Sequence, residues 1–123
     1  MVKIFYFDTY ALIEITKSNT NYEPYKEDIK IILNKLNILE FVYFLMREGR
    51  NSEIKLFYDK FARYNIDYED DDLIKAAEMK FKYVKQKLSF VDCIGYVLAQ
   101  KNNAKFLTGD EKFQNKDNVE YVK

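Results

Sequence analysis

Three carboxylates of this chain stand alone in otherwise uncharged runs. Asp8 is the only charge between Ile4 and Ile13, Glu40 the only one between Leu36 and Met46, and Asp92 the only one between Leu88 and Gln100. A fourth, Asp110, follows the segment Ala104–Leu107 across the turn Thr108-Gly109. Ionised carboxylates are rarely buried unpaired, because desolvation is costly or drives the group neutral. Each therefore needs a partner, a helix end, or an outlet to water or a metal. Asp8 has a simple explanation as the N-cap of a following helix, with Thr9 assisting. Asp92, three residues after Ser89, resembles the acid of a capping box, in a first turn that favours negative charge. Glu40 has no such excuse, and Asn37 lies one turn earlier on its face. Carboxylates gathered in one crevice would repel one another unless a hard cation neutralised them. Oxygen-only donors suit Mg²⁺ or Mn²⁺, whereas zinc fits poorly without histidine or more cysteine.

Composition narrows the alternatives. The 123 residues are 48% hydrophobic and 17% aromatic, which predicts one folded domain rather than a disordered segment. Lys and Arg number 20 against 20 Asp and Glu, so no global positive field marks a nucleic-acid binder. That balance does not count against an enzyme whose bound cations meet substrate phosphates. No histidine occurs, which removes Ser-His-Asp and Cys-His catalysis together with the usual histidine zinc sites. The single Cys93 lies in an apolar run and reads as a small core residue in a reducing compartment. No stretch approaches the ~18 apolar residues of a membrane span. The first residues lack a signal-peptide pattern, and the expectation is a cytoplasmic protein.

Strands and helices must bring the four acids together. Val2–Phe7 reads as a buried strand passing into a short helix over Thr9–Ile15. Residues 17–24, polar and holding the only proline, read as a surface loop. Ile29–Leu33 is either a strand or the lead-in to a helix. Leu36–Met46 predicts a helix that is apolar all round, hence buried, and closed by Gly49. Asn51–Tyr64 predicts an amphipathic helix with Ile54, Phe57, Tyr58 and Phe61 inward, and residues 64–68 either a connection or a brief strand. Asp70-Asp71-Asp72 precedes a helix running to about Lys87. Three adjacent aspartates invite a cation, but a helix N-terminus explains them more simply. Lys75, Lys82 and Lys85 lie near one face of that helix, a solvated face or else an RNA-contacting stripe. Leu88–Gln100 predicts another buried helix, Ala104–Leu107 a strand, Glu111–Phe113 a helical turn and Val119–Val122 an edge strand. Strands alternating with helices predict an α/β fold, a parallel sheet with helices on both faces. Residues just past the strand ends line the ligand crevice of such a sheet, and Asp8 and Asp110 hold those positions.

In chain order the motifs are Asp8-Thr9 ending a strand, Asn37-x-x-Glu40 on a helix, Leu88-Ser89-x-x-Asp92, and Leu107-Thr108-x-Asp110-x-x-Phe113. Together, over essentially the whole chain, they resemble the PIN-domain ribonucleases. The size is most similar to the VapC-type toxins of toxin–antitoxin pairs. The resemblance implies a three-layer α/β/α fold around a mostly parallel sheet of four to five strands. It also implies a Mg²⁺- or Mn²⁺-dependent ribonuclease that cuts single-stranded or loop RNA, often as a homodimer silenced by an antitoxin. Asp8, Glu40, Asp92 and Asp110 would form its catalytic, metal-binding site, with Thr108, Asn37 and Thr9 as helpers. Asp8 and Asp110 would hold the principal ion, and Asp92 and Glu40 would act through water. Many relatives carry another acid shortly after the fourth, where this chain has Lys112 and Gln114. Glu111 and Asp117 are the nearest acids, which leaves a second ion open.

Other classes fit the same residues less well. A haloacid-dehalogenase-like phosphatase needs a second aspartate two residues after the first, where Tyr10 stands. A receiver domain needs an acid ending a central strand and a lysine after a late one, and neither falls into place. A catalytically silent PIN-like binding module has no use for four crowded acids, which cost stability. The aromatics, Tyr43, Tyr58 and Phe61 among them, exceed what a small core encloses. They predict a homodimer, with the helices between Leu36 and Tyr64 also offered to an antitoxin.

Overall fold

The computed structural model describes residues 2–123. Strands β1 (Lys3–Phe7), β2 (Ile29–Ile32), β3 (Lys105–Thr108) and β4 (Val119–Tyr121) form one sheet in the order β2-β1-β3-β4. All three pairings are parallel. Side chains alternate across it: Phe5, Phe7 and Leu107 enter one core, Tyr6 and Phe106 the other. On the first side pack α1 (Thr9–Thr16), α2 (Lys35–Arg47) and α3 (Ile54–Ala62). On the second pack α4 (Asp70–Lys82) and α5 (Phe90–Lys101). This is the expected three-layer α/β/α architecture, with four strands. Burial on both faces is why β1 and β3 read as apolar runs rather than alternating ones.

The order of the strands creates the crevice. The chain leaves β1 through α1 to β2 on one flank, then returns through α2–α5 to β3 on the other. The winding reverses between β1 and β3, so a crevice opens beyond their carboxyl ends. Asp8 follows β1 directly, and Thr108 and Asp110 leave β3 beside it. Two glycines permit the close approaches. A Cβ on Gly95 would stand 2.8 Å from the Tyr6 ring, so only glycine lets α5 lie this near β1 and carry Asp92 toward Asp8. A Cβ on Gly109 would collide with the Tyr10 ring and the Val122 carbonyl, which fixes the turn that leads into Asp110.

Several elements depart from the sequence pattern for identifiable reasons. Residues 20–25 are not open loop but a 3-10 helix with Pro24 inside. It is anchored by the buried Tyr22, whose hydroxyl donates to the Val122 carbonyl at 2.6 Å. Ile29–Ile32 is a strand, settled by its parallel pairing with β1. α4 ends at Lys82, and Val84–Gln86 forms a separate 3-10 turn before Lys87 in the left-handed region (φ 55°). α2 is not buried all round: Leu39, Tyr43 and Met46 are 65%, 61% and 50% exposed. Only one side of α2 meets the sheet layer, and nothing among the described residues covers the other. Tyr58 is likewise exposed, because α3 docks through the narrower stripe Ile54, Phe57 and Phe61, whose rings meet Phe41 edge-on. Gly49 (φ 70°) does close α2, with Gly49 N–H donating to Met46 and Arg50 N–H to Leu45.

Candidate active site

Asp8 sits at the N-cap position of α1 with extended backbone, yet its side chain makes no capping hydrogen bond. The capping explanation therefore fails for Asp8. Its Oδ2 instead accepts from the buried Thr108 hydroxyl at 2.8 Å, and the Asp110 N–H donates to Thr108 Oγ1 at 3.1 Å. Thr108 thus ties the ends of β1 and β3 together. Asp8 is only 2% exposed, and its Oδ1 has no hydrogen-bond partner. A buried acceptor left unpaired is costly and needs an explanation. Glu14 Oε2 is also without a hydrogen bond, but it has Lys17 Nζ at 3.8 Å. Among the described residues no salt bridge reaches Asp8, Glu40, Asp92 or Asp110.

A second network enters from α2. The Thr9 hydroxyl donates to Glu40 Oε1 at 2.7 Å, and Asn37 Nδ2 donates to Thr9 Oγ1 at 3.2 Å. The Tyr6 hydroxyl donates to Asn37 Oδ1, which also accepts from the Asn34 N–H at 3.4 Å. Two donors on Oδ1 fix the orientation of the Asn37 amide. Its NH₂ then occupies an acceptor site on Thr9, and the single Thr9 proton goes to Glu40. Asn37 and Glu40 do share a site, but through Thr9 rather than by contact. Tyr6 was missed in the sequence because it reads as one more apolar residue of β1.

Asp92 keeps its capping role and still joins the acids. Ser89 and Asp92 exchange both bonds of a capping box at 3.0 Å, which fixes the carboxylate rotamer through Oδ2. Burial raises Asp8 well above the usual carboxylate range, and Asp92 and Glu40 push it further against the opposing bond from Thr108 and the nearby Thr9 N–H dipole. Burial also raises Asp92, with Asp110 adding and Ser89 and Lys112 opposing. Glu40 is raised by burial and by Asp92, against its bond from Thr9. Asp8, Glu40 and Asp92 therefore lie in one another's fields, and Asp110 acts on Asp92. Among the described residues no three of them form a ready-made metal cage. The donor set nevertheless fits a hard divalent cation in kind: oxygen only, mutually repelling, with one buried oxygen unpartnered.

The remaining acids fall outside this group. Asp72 caps α4 and pairs with Lys101 at 2.9 Å, while Asp71 pairs with Lys75 at 3.2 Å, as a helix end explains. Glu111 is exposed and pairs with Lys123 at 2.8 Å. Asp117 is exposed, and its carbonyl accepts from Tyr96.

A family model of the PIN domain matches residues 5–119. The chain belongs to the PIN-domain family. Solved structures show the same fold at low identity. A toxin–antitoxin complex from Klebsiella pneumoniae superposes with a TM-score of 0.73 at 17% identity, covering 94% of each chain. VapBC2 from Rickettsia felis, solved on a DNA fragment from its promoter, gives 0.69 at 19% identity, covering 98% of this chain and 99% of that one. A Pyrobaculum aerophilum protein gives 0.69 at 18%, covering 98% and 92%. No curated protein matches the sequence. In this PIN domain Asp8 follows the end of β1, Thr108 ends β3 with Asp110 two residues on, and the fields of Glu40 from α2 and Asp92 from α5 reach Asp8.

Proposed function

We propose that this PIN domain is a Mg²⁺- or Mn²⁺-dependent endoribonuclease, the toxin of a toxin–antitoxin pair acting as a single-domain protein in the cytosol. The observation that carries the reading is Asp8 Oδ1, buried and unpartnered in the field of the neighbouring acids. Asp8 and Asp110 would hold the ion, with Asp92 and Glu40 reaching it through water. When bound, the ion lowers the pKa of water and screens charge on the phosphodiester. Thr108 keeps Asp8 Oδ2 occupied, which leaves Oδ1 as the donor oxygen. The capping box holds Asp92 in one rotamer. Thr9 gives its proton to Glu40 Oε1, so Glu40 faces the substrate water as an acceptor that orients it.

The uncovered side of α2 and α3 supports a protein partner. Leu39 and Tyr58 are exposed at a groove of about 410 Å³ floored by Ile38, Val42 and Ile54, and Tyr43 and Met46 of α2 and Leu56 of α3 are exposed as well. The Klebsiella pneumoniae fold neighbour is a toxin–antitoxin complex, which supports an antitoxin as the occupant. The amount of exposed apolar surface also supports a homodimer. Buried Cys93, its thiol pushed up to about 11 by burial, suits a reducing cytosol.

The test is cleavage of unstructured RNA by the purified chain. Cleavage should require Mg²⁺ or Mn²⁺, stop with EDTA and return when the cation is restored. Undiminished cleavage in chelator overturns the mechanism.

A further inference from the structure

We propose that single-stranded RNA runs from the acidic crevice into a lysine-lined trench between α4 and the turn after β3, with a base stacked on Phe90. This rests on the ribonuclease reading and assigns the path of its substrate. A cavity of about 740 Å³ lies between the end of α4, the Val84–Gln86 turn, α5 and the turn Glu111–Phe113. That last turn follows Asp110 directly, so trench and crevice share a wall. Lys112 belongs to both. It lines the trench, its N–H donates to Asp110 Oδ1 at 3.0 Å, and its charge acts on Asp92.

The charge of the neighbourhood is segregated although the whole chain is neutral. Residues 75–87 hold Lys75, Lys80, Lys82, Lys85 and Lys87 against Glu78 alone. Lys75, at the far end, pairs with Asp71. Lys80, Lys82, Lys85, Lys87, Lys112 and Lys116 form no salt bridge among the described residues. Cations suit the C-terminus of α4, which accounts for Lys80 and Lys82 but not for the other four. Glu78, Glu111 and Asp117 also line the trench. Glu111 is neutralised by Lys123, so Lys82, Lys112 and Lys116 face only Glu78 and Asp117 across the trench, and Lys80, Lys85 and Lys87 stand on the same segment outside its lining.

Aromatic rings interleave with these cations. Phe90, 62% exposed, opens α5 two residues before Asp92, and Lys80 Nζ lies 4.9 Å from its ring centre. Lys116 Nζ lies 4.2 Å from the Tyr83 ring centre at the trench wall. Cations along a backbone path beside exposed rings are how proteins hold unpaired strands, since a stacked duplex offers its bases to neither. An acidic peptide would also satisfy the lysines, and what favours RNA is that the trench continues from the crevice proposed to receive a phosphodiester.

The test uses the full chain with Asp8→Asn to prevent cleavage, in Mg²⁺, and reads fluorescence anisotropy of a labelled unstructured RNA and of the same RNA in a duplex. Lys82→Ala/Lys112→Ala/Lys116→Ala should weaken single-strand binding by roughly tenfold or more and make the log–log salt slope shallower by about 2. Phe90→Ala should weaken it by about fivefold and leave duplex binding unchanged. The corresponding triple Lys→Arg variant should bind like the parent, and Lys30→Ala/Lys60→Ala/Lys105→Ala should change binding by less than about twofold. Single Lys112→Ala and Lys116→Ala variants, each with unchanged melting, replace the triple one if it unfolds. Parent-like binding by the trench variants while the wild-type chain still cuts RNA overturns the trench alone and leaves its lysines to a protein partner. A wild-type chain that neither binds nor cuts RNA overturns the ribonuclease reading and the trench together.

Discussion

α4 and α5 begin with the same device and use it to opposite ends. In each, the third helical residue is an aspartate whose Oδ2 accepts from the N–H just before the helix, Asp72 from Glu69 at 2.9 Å and Asp92 from Ser89 at 3.0 Å. Burial pushes Asp72 up, but the Glu69 bond and the Lys101 ammonium at 2.9 Å outweigh it and hold the carboxyl below its usual range. Asp92 has no salt-bridge partner, and burial with Asp110 carries it above that range. The capping box fixes a rotamer in both helices. What stands opposite the carboxylate decides which way its affinity for a proton moves.

The largest expected effect tests that distinction directly. Asp92→Asn and Asp8→Asn should each lower RNA cleavage by roughly 10²–10⁴-fold, as loss of a group acting at the reacting atoms does. Asp72→Asn should keep cleavage within about threefold of wild type, in line with a residue remote from the chemistry. Initial rates in Mg²⁺ at matched protein concentration decide it. Equal losses at Asp72 and Asp92 would reduce both to helix ends.

Metal-free stability should reverse the ranking. Asp72→Ala removes a cap and a pair whose lysine is 42% exposed, so solvent screens the pair and the loss is about 1–2 kcal/mol. Asp92→Ala also loses a cap, but relief of repulsion offsets it, and Asp8→Asn should melt at or above wild type. The signs with pH differ as well. Asp72, lowered in the fold, contributes stability present above roughly pH 4 and lost as pH falls through its lowered pKa. Asp8 and Asp92, raised in the fold, contribute stability that is full below roughly pH 4 and lost as pH rises through their raised values. In EDTA, Asp8→Asn should flatten the decline on the alkaline side and Asp72→Asn the decline on the acid side. Mg²⁺ should raise the melting temperature of wild type, binding only the fold, and do so less for Asp8→Asn. Parallel pH profiles for the two variants would remove the electrostatic contrast.

Periodicity made the layers legible, because β1, β3 and α5 are apolar runs interrupted by single charges. The acids were legible for the same reason. The partners of those acids were not. Thr108 meets Asp8 across 100 positions of sequence, and only the strand order brings them together. Local pattern therefore left open a cap at Asp8 that the structure does not make. Tyr58 and Tyr43 have the composition of core residues, and the pattern cannot tell a side that meets the sheet from one left bare. Asp72 and Asp92 differ in the sequence only by neighbours, while Lys101 lies 29 residues beyond Asp72.

The smallest effect concerns Tyr6, which stands to Asn37 as Lys101 stands to Asp72, a donor that holds a neighbour in place. Tyr6 is fully buried, and its ring stacks on Phe106 at 5.8 Å. Tyr6→Phe keeps that packing and removes only the hydroxyl. Asn37 Oδ1 is then left with the long 3.4 Å bond from Asn34, so the amide is free to turn its oxygen toward Thr9. Thr9 would donate to Asn37, and Glu40 would lose the donor that orients it. Cleavage should fall about tenfold, the lower range for groups that orient the ligands of a metal site, with stability falling by about 1 kcal/mol. Asn37→Ala should cost at least as much. Because both act through Thr9, Tyr6→Phe/Asn37→Ala should be no slower than Asn37→Ala alone. A Tyr6→Phe protein that cuts RNA at the wild-type rate, or a double variant whose losses multiply, would show that Glu40 is oriented without this chain of bonds.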